Sequence, residues 1–254
     1  SAIEGLRKLM DQNAMDDVDP RAIEVLDHVL EYRQLTKIKS TYVDSLPGQV
    51  FVETGRIHTN YQQTGSATGR VSSNDPNVQN IPVRTELGRR VRNAFVTRGA
   101  PEWILLGADY SQIELRVLAH LSLDPGLLEA FNKDVDIHSA TASSVFGVGV
   151  KEVTQDMRRV AKIMNFGVIY GLSPFGISQQ TGLSPEEGKI FIETYFGKYP
   201  GIRHYIDSVK EQVSIKGYVE TLVGRRRYIP EIKSNKFQVR AAGERMAVNM
   251  PIQG

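Results

Sequence analysis

One acid in this chain sits where an acid can do chemistry. In WILLGADYSQIELRVLAHLS, residues 103–122, an apolar run from Trp103 to Ala108 leads straight into Asp109. The run reads as a buried strand. Ile113, Val117, Leu118 and Leu121 then recur at helical spacing, so a helix begins near Ser111. A carboxylate between a buried strand and a helix can turn its oxygens into a cleft. Mg²⁺ favours such a site, taking one or two carboxylates and completing its shell with substrate phosphates. The plain alternative is that Asp109 caps the helix. Ser111 and Glu114 also fit the S-x-x-E capping box, which gives Glu114 a structural role of its own.

A second set of chemically able residues lies in TQDMRRVAKIMNFGVIY, residues 154–170. Arg158, Lys162, Phe166 and Tyr170 follow at steps of four, a slowly drifting stripe on a helix. The stripe runs from two cations to two aromatics. Cations can meet a triphosphate, and an aromatic ring can pack on a base or sugar. The alternative is a solvated basic half followed by two core aromatics. Near the end of the chain Arg245, Asn249 and Gln253 are again four apart.

The elements that must position these residues can be read coarsely. Asp19 and Pro20 make an N-cap and N1 pair for a helix over about 20–40, and residues 1–18 are weakly helical. Lys37 and Lys39 suit that helix's C-terminal end. A short strand is expected near 57–62. The long segment TGSATGRVSSNDPNVQNIPVR, residues 64–84, is rich in amides and hydroxyls, as contacts to sugar and phosphate oxygens require; a solvated loop is the other reading. Arg84, Arg89, Arg90, Arg92 and Arg98 form a basic stretch leading into a strand near 93–97. Asp124-Pro125 and Asp136 each open a helix, and His138 near the start of the second is, locally, an ordinary histidine. Ser184-Pro185-Glu186-Glu187 is a capping box with Pro at N1. Helices then end near Gly197 and run over about 200–216, residues 218–230 read as a hairpin, and a last helix spans about 235–249.

Totals constrain the answer less than position does. The 254 residues are 41% hydrophobic, enough to bury a core in one or two domains. The net charge of +2 is almost neutral, so any argument for nucleic acid rests on clustering. The lack of cysteine excludes disulfides and thiolate metal sites and is compatible with a reducing compartment. No secretory leader, spanning apolar run, internal repeat, Walker A or G-x-G-x-x-G loop is present, so the chain is expected to be soluble and cytoplasmic, and phosphate chemistry must use another device.

Taken together, DYSQIELRVLAHLS, RRVAKIMNFGVIYG, TGRVSSNDPNVQNIPVR, GYVETLVGRRRYIP and ERMAVNMPIQG resemble the family A DNA polymerases, the bacterial DNA polymerase I group, from about Glu31 onward. The resemblance implies an α+β fold, with an incomplete antiparallel palm sheet and a large helical fingers subdomain. It partitions the chain into a thumb-base segment (1–46), the first part of the palm (47–122), fingers (123–234) and the start of a returning palm helix (235–254). It implies template-directed DNA synthesis, with dNTPs and primer–template DNA as partners, Mg²⁺ as cofactor in a two-metal site, and a cytoplasmic, nucleoid-associated location.

Residue by residue, Asp109 resembles the first catalytic acid, with the carbonyl of Tyr110 also facing a metal. Glu114 resembles the ribose gate, and Tyr110 and Gln112 fall in the same nucleotide-binding block. Arg158 and Lys162 resemble the cations that hold the triphosphate and steady its charge, and His138 their phosphate-facing companion. Phe166 sits where an aromatic packs beside the sugar, and Tyr170 resembles the guard of the template stack. Arg70, Asn77 and Asn80 resemble duplex and primer contacts, and Lys37 a thumb-base contact to the DNA backbone; Arg245, Asn249 and Gln253 resemble minor-groove and template readers. The family's His-Asp-Glu hairpin, which bears the second acid, has no counterpart in these 254 residues. The chain alone is therefore expected to be inactive or nearly so, completed by a second polypeptide in a split enzyme or else truncated. The rival readings are a non-catalytic binding fragment and a single-subunit RNA polymerase; Glu114 and the DYSQIELR block argue against the latter.

Overall fold

The computed structural model describes Ile3 and residues 19–83, 85–98, 102–171 and 173–254. The expected helix over 1–18 and Arg84 otherwise lie outside the described residues. The chain forms two compact units. One comprises residues 1–66 and 71–107, the other residues 67–70 and 108–254. Fold class is α+β: helices dominate, and the described strands form three separate antiparallel pairs.

In the first unit, α1 (Pro20–Ile38) starts as its sequence predicts. Asp19 accepts from the backbone of Arg21, and Pro20 occupies N1. The helix then loosens into a π-turn over Lys39–Val43, which buries Tyr42; the Tyr42 hydroxyl donates to the carbonyl of Asn80. β1 (Val50–Phe51) pairs with β2 (Arg56–Ile57), and β3 (Asn60–Gln62) with β4 (Ser72–Asn74). The predicted strand near 57–62 is thus split between β2 and β3. β4 lies inside the polar 64–84 segment, which is knitted by its own side chains. Buried Ser73 accepts from the backbone N–H groups of Val78 and Gln79, and Gln79 Nε2 donates to the carbonyl of Val71. Local side-chain bonds of this kind replace a core.

Two strand expectations fail in this unit. Residues 86–93 are α2 (Glu86–Asn93), capped by Thr85, and residues 94–97 are irregular, so no strand forms near 93–97. Spacing of Leu87 and Val91 with arginines between them is helical rather than alternating. The run 103–108 is not a buried strand either. It is irregular, and Ile104, Leu105 and Leu106 are 80, 73 and 87% exposed. Its residues have the composition of a strand, but a strand exists only through a partner strand's hydrogen bonds, and no described strand pairs with it.

The second unit is built of α3 (Ile113–Ser122), α4 (Pro125–Asn132), α5 (Ile137–Phe146), α6 (Gln155–Ile169), α7 (Pro174–Thr181), α8 (Pro185–Lys198), α9 (Pro200–Lys216), the hairpin β5 (Tyr218–Glu220) and β6 (Arg226–Tyr228), and α10 (Phe237–Gln253). Their apolar stripes meet in one core that includes Leu115, Leu118, Ile137, Met164, Tyr199, Ile202 and Met250. The capping box of α8 forms as read: Ser184 Oγ accepts from Glu187 N, and Glu187 Oε2 from Ser184 N. Gly217 stops α9 at φ 74°, a conformation glycine adopts without strain.

Two details of this unit depart from the sequence reading and matter for the site. The Ser111–Glu114 capping box does not form. α3 begins at Ile113 behind Gln112, which is left-handed (φ 54°) and gives no side-chain cap, so Glu114 is free for other partners. α10 runs through Pro251 to Gln253 rather than ending near Asn249. Pro251 lies inside this last turn, where it cannot donate the usual helix bond to the carbonyl four residues earlier, and it is buried with Met250 and Ile252.

Candidate functional site

Glu114 is the centre of the best-connected polar cluster. Its side chain is only 13% exposed. One carboxylate oxygen pairs with Arg70 Nη2. The other accepts from the Tyr170 hydroxyl at 2.8 Å, and that hydroxyl accepts from Gln253 Nε2 at 2.9 Å. Four separate stretches converge here: residues 67–70, the first turn of α3, the residue after α6, and the last turn of α10. The extension of α10 through Pro251 is what delivers Gln253. Burial, reinforced by the bond to Glu114 and its charge, raises the Tyr170 phenol above its ordinary value, while Gln253 and Arg70 oppose the shift. Tyr170 therefore stays a neutral donor. Beside it, the Arg245 side chain lies over Gly171, so closely that a Cβ there would meet Arg245 Cγ at 2.7 Å.

A second cluster joins the N-terminus of α5 to α6. Thr154 caps α6 by accepting from Met157 N at 3.2 Å. Arg158 grips Asp136 with two bonds, Nε to Oδ2 at 2.6 Å and Nη2 to Oδ1 at 3.2 Å. Asp136 also accepts from Ser139 Oγ and from the backbone of His138. Burial would raise the Asp136 carboxyl, but the bonds from Arg158 and Ser139 and the charge of Arg158 outweigh it and bring it to about 2. His138 is buried, its ring 5.8 Å from that of Phe166. Burial lowers its pKa, Asp136 opposes this, and Arg158 and Lys162 add to it, leaving it about 4. Lys162 is exposed one turn further along, with no ion pair among the described residues. The cluster can receive an anion: Arg158 keeps donors beyond those committed to Asp136, Lys162 has all of its own, and both cations stand on one helix face.

The remaining expected residues divide by unit. Asn249 lies one turn before Gln253, with a buried Oδ1 that has no hydrogen-bond partner among the described residues. In the first unit, Lys37 and Asn80, far apart in sequence, line one cleft of about 570 Å³ with Thr41 and Pro82. Asn77 has its Oδ1 engaged locally, accepting from Ser73 Oγ and Gln79 N.

Asp109 and Tyr110 are exposed, in irregular chain before α3. Asp109 does not cap the helix, since Gln112 holds that position. Among the described residues no group of three or more His, Asp or Glu side chains could hold a metal ion. One exposed carboxylate beside one main-chain carbonyl does not fit a pair of Mg²⁺ ions, whose mutual repulsion calls for several anionic oxygens.

Sequence reasoning did not foresee Asp136 as the partner of Arg158, nor Asn165, Thr141 and Tyr199 behind His138. Asp136 was legible only as a helix cap. Asn165 carried a weak signal, a polar residue on the apolar side of α6.

The whole of residues 4–254 matches the sequence pattern of DNA polymerase family A. The chain belongs to that family. It is 53% identical over 227 residues to DNA polymerase I of Pseudomonas aeruginosa, covering 89% of this chain and 24% of that protein. It is 52% identical over 230 residues to the thermostable DNA polymerase I of Thermus aquaticus, covering 91% of this chain and 27% of that protein. The chain thus spans about a quarter of the length of these relatives. Among solved structures, the POL domain of Pol1 from M. smegmatis, in complex with DNA primer-template and dNTP, superposes with a TM-score of 0.80 at 50% identity, over 89% of this chain and 40% of that one. Among the described residues of this family A chain, no helix is long and apolar enough to cross a membrane.

Proposed function

We propose that this chain is the nucleotide-holding part of a template-directed DNA polymerase, in which a primer 3′-hydroxyl displaces pyrophosphate from a dNTP. The observation that carries the reading is the convergence on Glu114. A largely buried carboxylate bonded to Tyr170 and Arg70, with Gln253 behind, sits in the unit whose α6 presents Arg158 and Lys162. The cations bind the triphosphate, Phe166 packs beside the sugar, Glu114 crowds a 2′-hydroxyl, Arg70 meets the primer–template duplex, and Arg245, Asn249 and Gln253 meet the nascent pair. In the first unit, the Lys37–Asn80 cleft and Asn77 meet the duplex backbone. In this reading 1–46 is thumb base, 47–122 palm, 123–234 fingers and 235–254 returning palm helix, and the protein works in the cytoplasm at the nucleoid.

Asp109 and the Tyr110 carbonyl would hold only one side of a two-metal site, and its second acid would have to come from outside the described residues, in the same protein or in a second polypeptide. The exposed run 103–106 supports this, since it has the composition of a strand awaiting partners. Primer extension with Mg²⁺ by residues 1–254 tests it. The expected result is no extension alone, with activity appearing when a polypeptide bearing a His-Asp-Glu hairpin is added, and lost again in Asp109→Ala. Extension by 1–254 alone would overturn the split of the acids.

The second reading, a binding fragment without chemistry, is favoured by the lack of a metal cluster among the described residues. It predicts primer–template binding that no added segment converts to extension. In the completed enzyme, Glu114→Ala should relax discrimination against ribonucleotides by roughly 10- to 100-fold, the scale of losing a steric contact in a fitted pocket. A wild type without deoxynucleotide preference would move Glu114 out of the gate and favour RNA synthesis.

A further inference from the structure

Behind His138 runs a buried file of polar side chains, Tyr199, Thr141 and Asn165, drawn from three elements that share no sequence neighbourhood. Each is at most 1% exposed, and His138 itself is 3% exposed. Tyr199 and Thr141 hydroxyls are 3.1 Å apart, Thr141 Oγ1 donates to Asn165 Oδ1 at 3.1 Å, and Asn165 Nδ2 lies 3.0 Å from His138 Nδ1.

The protons in this file can be assigned by bookkeeping. Thr141 has one proton and gives it to Asn165, so it must accept from Tyr199. With Oδ1 occupied, the amide of Asn165 turns its NH₂ to the imidazole. An amide nitrogen only donates, so Nδ1 must offer a lone pair, and a neutral imidazole with a free Nδ1 carries its proton on Nε2. Running the file backwards fails at its far end. Tyr199 would then have to accept, and its own proton would have no acceptor, because Thr141 is the one hydrogen-bond partner of its hydroxyl among the described residues. A buried orphan donor is costly, so the file has one favoured direction.

We propose that Asn165, oriented by Thr141 and Tyr199, is a positioning residue that holds His138 as the neutral Nε2–H tautomer and aims that N–H at a triphosphate oxygen. The aim rests on the reading of His138 as phosphate-facing; the tautomer does not. The charged groups around the ring are Asp136 on its own helix and Arg158 and Lys162 on α6. Burial and the two cations keep the ring uncharged near neutral pH, so what it contributes is a directed donor rather than a third positive charge. The opposite tautomer would turn a lone pair toward the phosphates.

The test is ¹⁵N NMR of the imidazole in the nucleotide-free wild-type chain, with His138 assigned by its loss in His138→Gln. Between pH 6 and 8, Nδ1 is expected unprotonated and Nε2 protonated. Asn165→Asp offers the ring only acceptors and should move a proton onto Nδ1, with the ring's pKa rising. Asn165→Leu, of similar volume, should leave a mixture of tautomers. A wild-type ring protonated on Nδ1, a measurement that needs no variant to fold, would overturn the proposal, as would a ring unchanged in both variants. In parallel, dGTP affinity should fall roughly 10- to 100-fold in Asn165→Asp and in His138→Gln, the scale of one hydrogen bond to a charged group. If the ring responds as expected while His138→Gln leaves dGTP affinity unchanged, the tautomer stands and the phosphate-facing reading of His138 falls.

Discussion

At the residue scale, the two cations of the stripe are not equivalent. Arg158 is committed to Asp136 through two bonds, whereas Lys162 is exposed and unpaired among the described residues. Lys162→Ala should therefore weaken dNTP binding by about tenfold or more, as losing a charge-assisted bond does, and change duplex affinity much less. Titrations with dNTP and with primer–template measure the two separately; equal losses would make Lys162 a general DNA contact. The stripe itself was legible in the sequence because helical periodicity sets which residues share a face. The Asp136–Arg158 pair was not, since its members are 22 positions apart and only the packing of α5 on α6 brings them together. Glu114 shows the same limit from the other side. Its local pattern predicts a capping box, but a left-handed Gln112 removes that role, and Arg70 and Tyr170 supply another.

At the element scale, buried Asp124 ties two helix starts together. It caps α4 by accepting from Leu127 N at 3.1 Å and accepts from Gly201 N in the first turn of α9 at 2.9 Å. Gly201 must be glycine there, because a Cβ would meet the Asp124 backbone and side chain at 2.8–3.0 Å. Asp124→Ala should cost about 2–3 kcal/mol, a cap plus a second orphaned buried N–H, in urea unfolding. The α5–α6 interface has its own pH dependence. The unfolded chain takes a proton at His138 below its ordinary 6.5, but the folded chain refuses it until about 4. Stability therefore falls as the pH drops from about 6.5 to 4, by roughly 2–3 kcal/mol at pH 4.5 relative to pH 7. Asp136 acts lower. Its stabilising contribution is complete above the ordinary carboxyl value and is lost only as the pH falls through about 2. Urea midpoints at pH 7 and 4.5 should thus converge in His138→Gln; an undiminished pH difference would assign the slope to other groups.

At the scale of the whole chain, the feature with the largest consequence is the run 103–106. Trp103, Ile104, Leu105 and Leu106 are each at least two-thirds exposed, with backbone groups unpaired by any described strand. Such a segment is a template for pairing with another chain. Residues 1–254 in isolation should self-associate in a concentration-dependent way, and Ile104→Lys with Leu106→Lys should reduce this without lowering the unfolding free energy by more than about 0.5 kcal/mol, since no packing is lost. Sedimentation velocity over a range of concentrations checks it. A monomer at every concentration would mean that the run is covered in solution.

The sequence by itself determined whatever depends on short-range periodicity and local chemistry. The caps at Asp19, Asp124, Asp136 and Ser184, the stops at Gly217 and the hairpin over 218–230 all follow from backbone groups that find partners within a few residues. It also carried membership of DNA polymerase family A, because five ordered blocks are more specific than any one helix pattern. Tertiary structure decided the rest. Whether 103–108 is a strand depends on a partner, how far α10 runs depends on the burial of Pro251, and which partners Glu114, Arg158 and His138 take depends on helices distant in sequence. Those outcomes are settled by desolvation and packing, which act only once the chain is folded, and no spacing along the sequence records them.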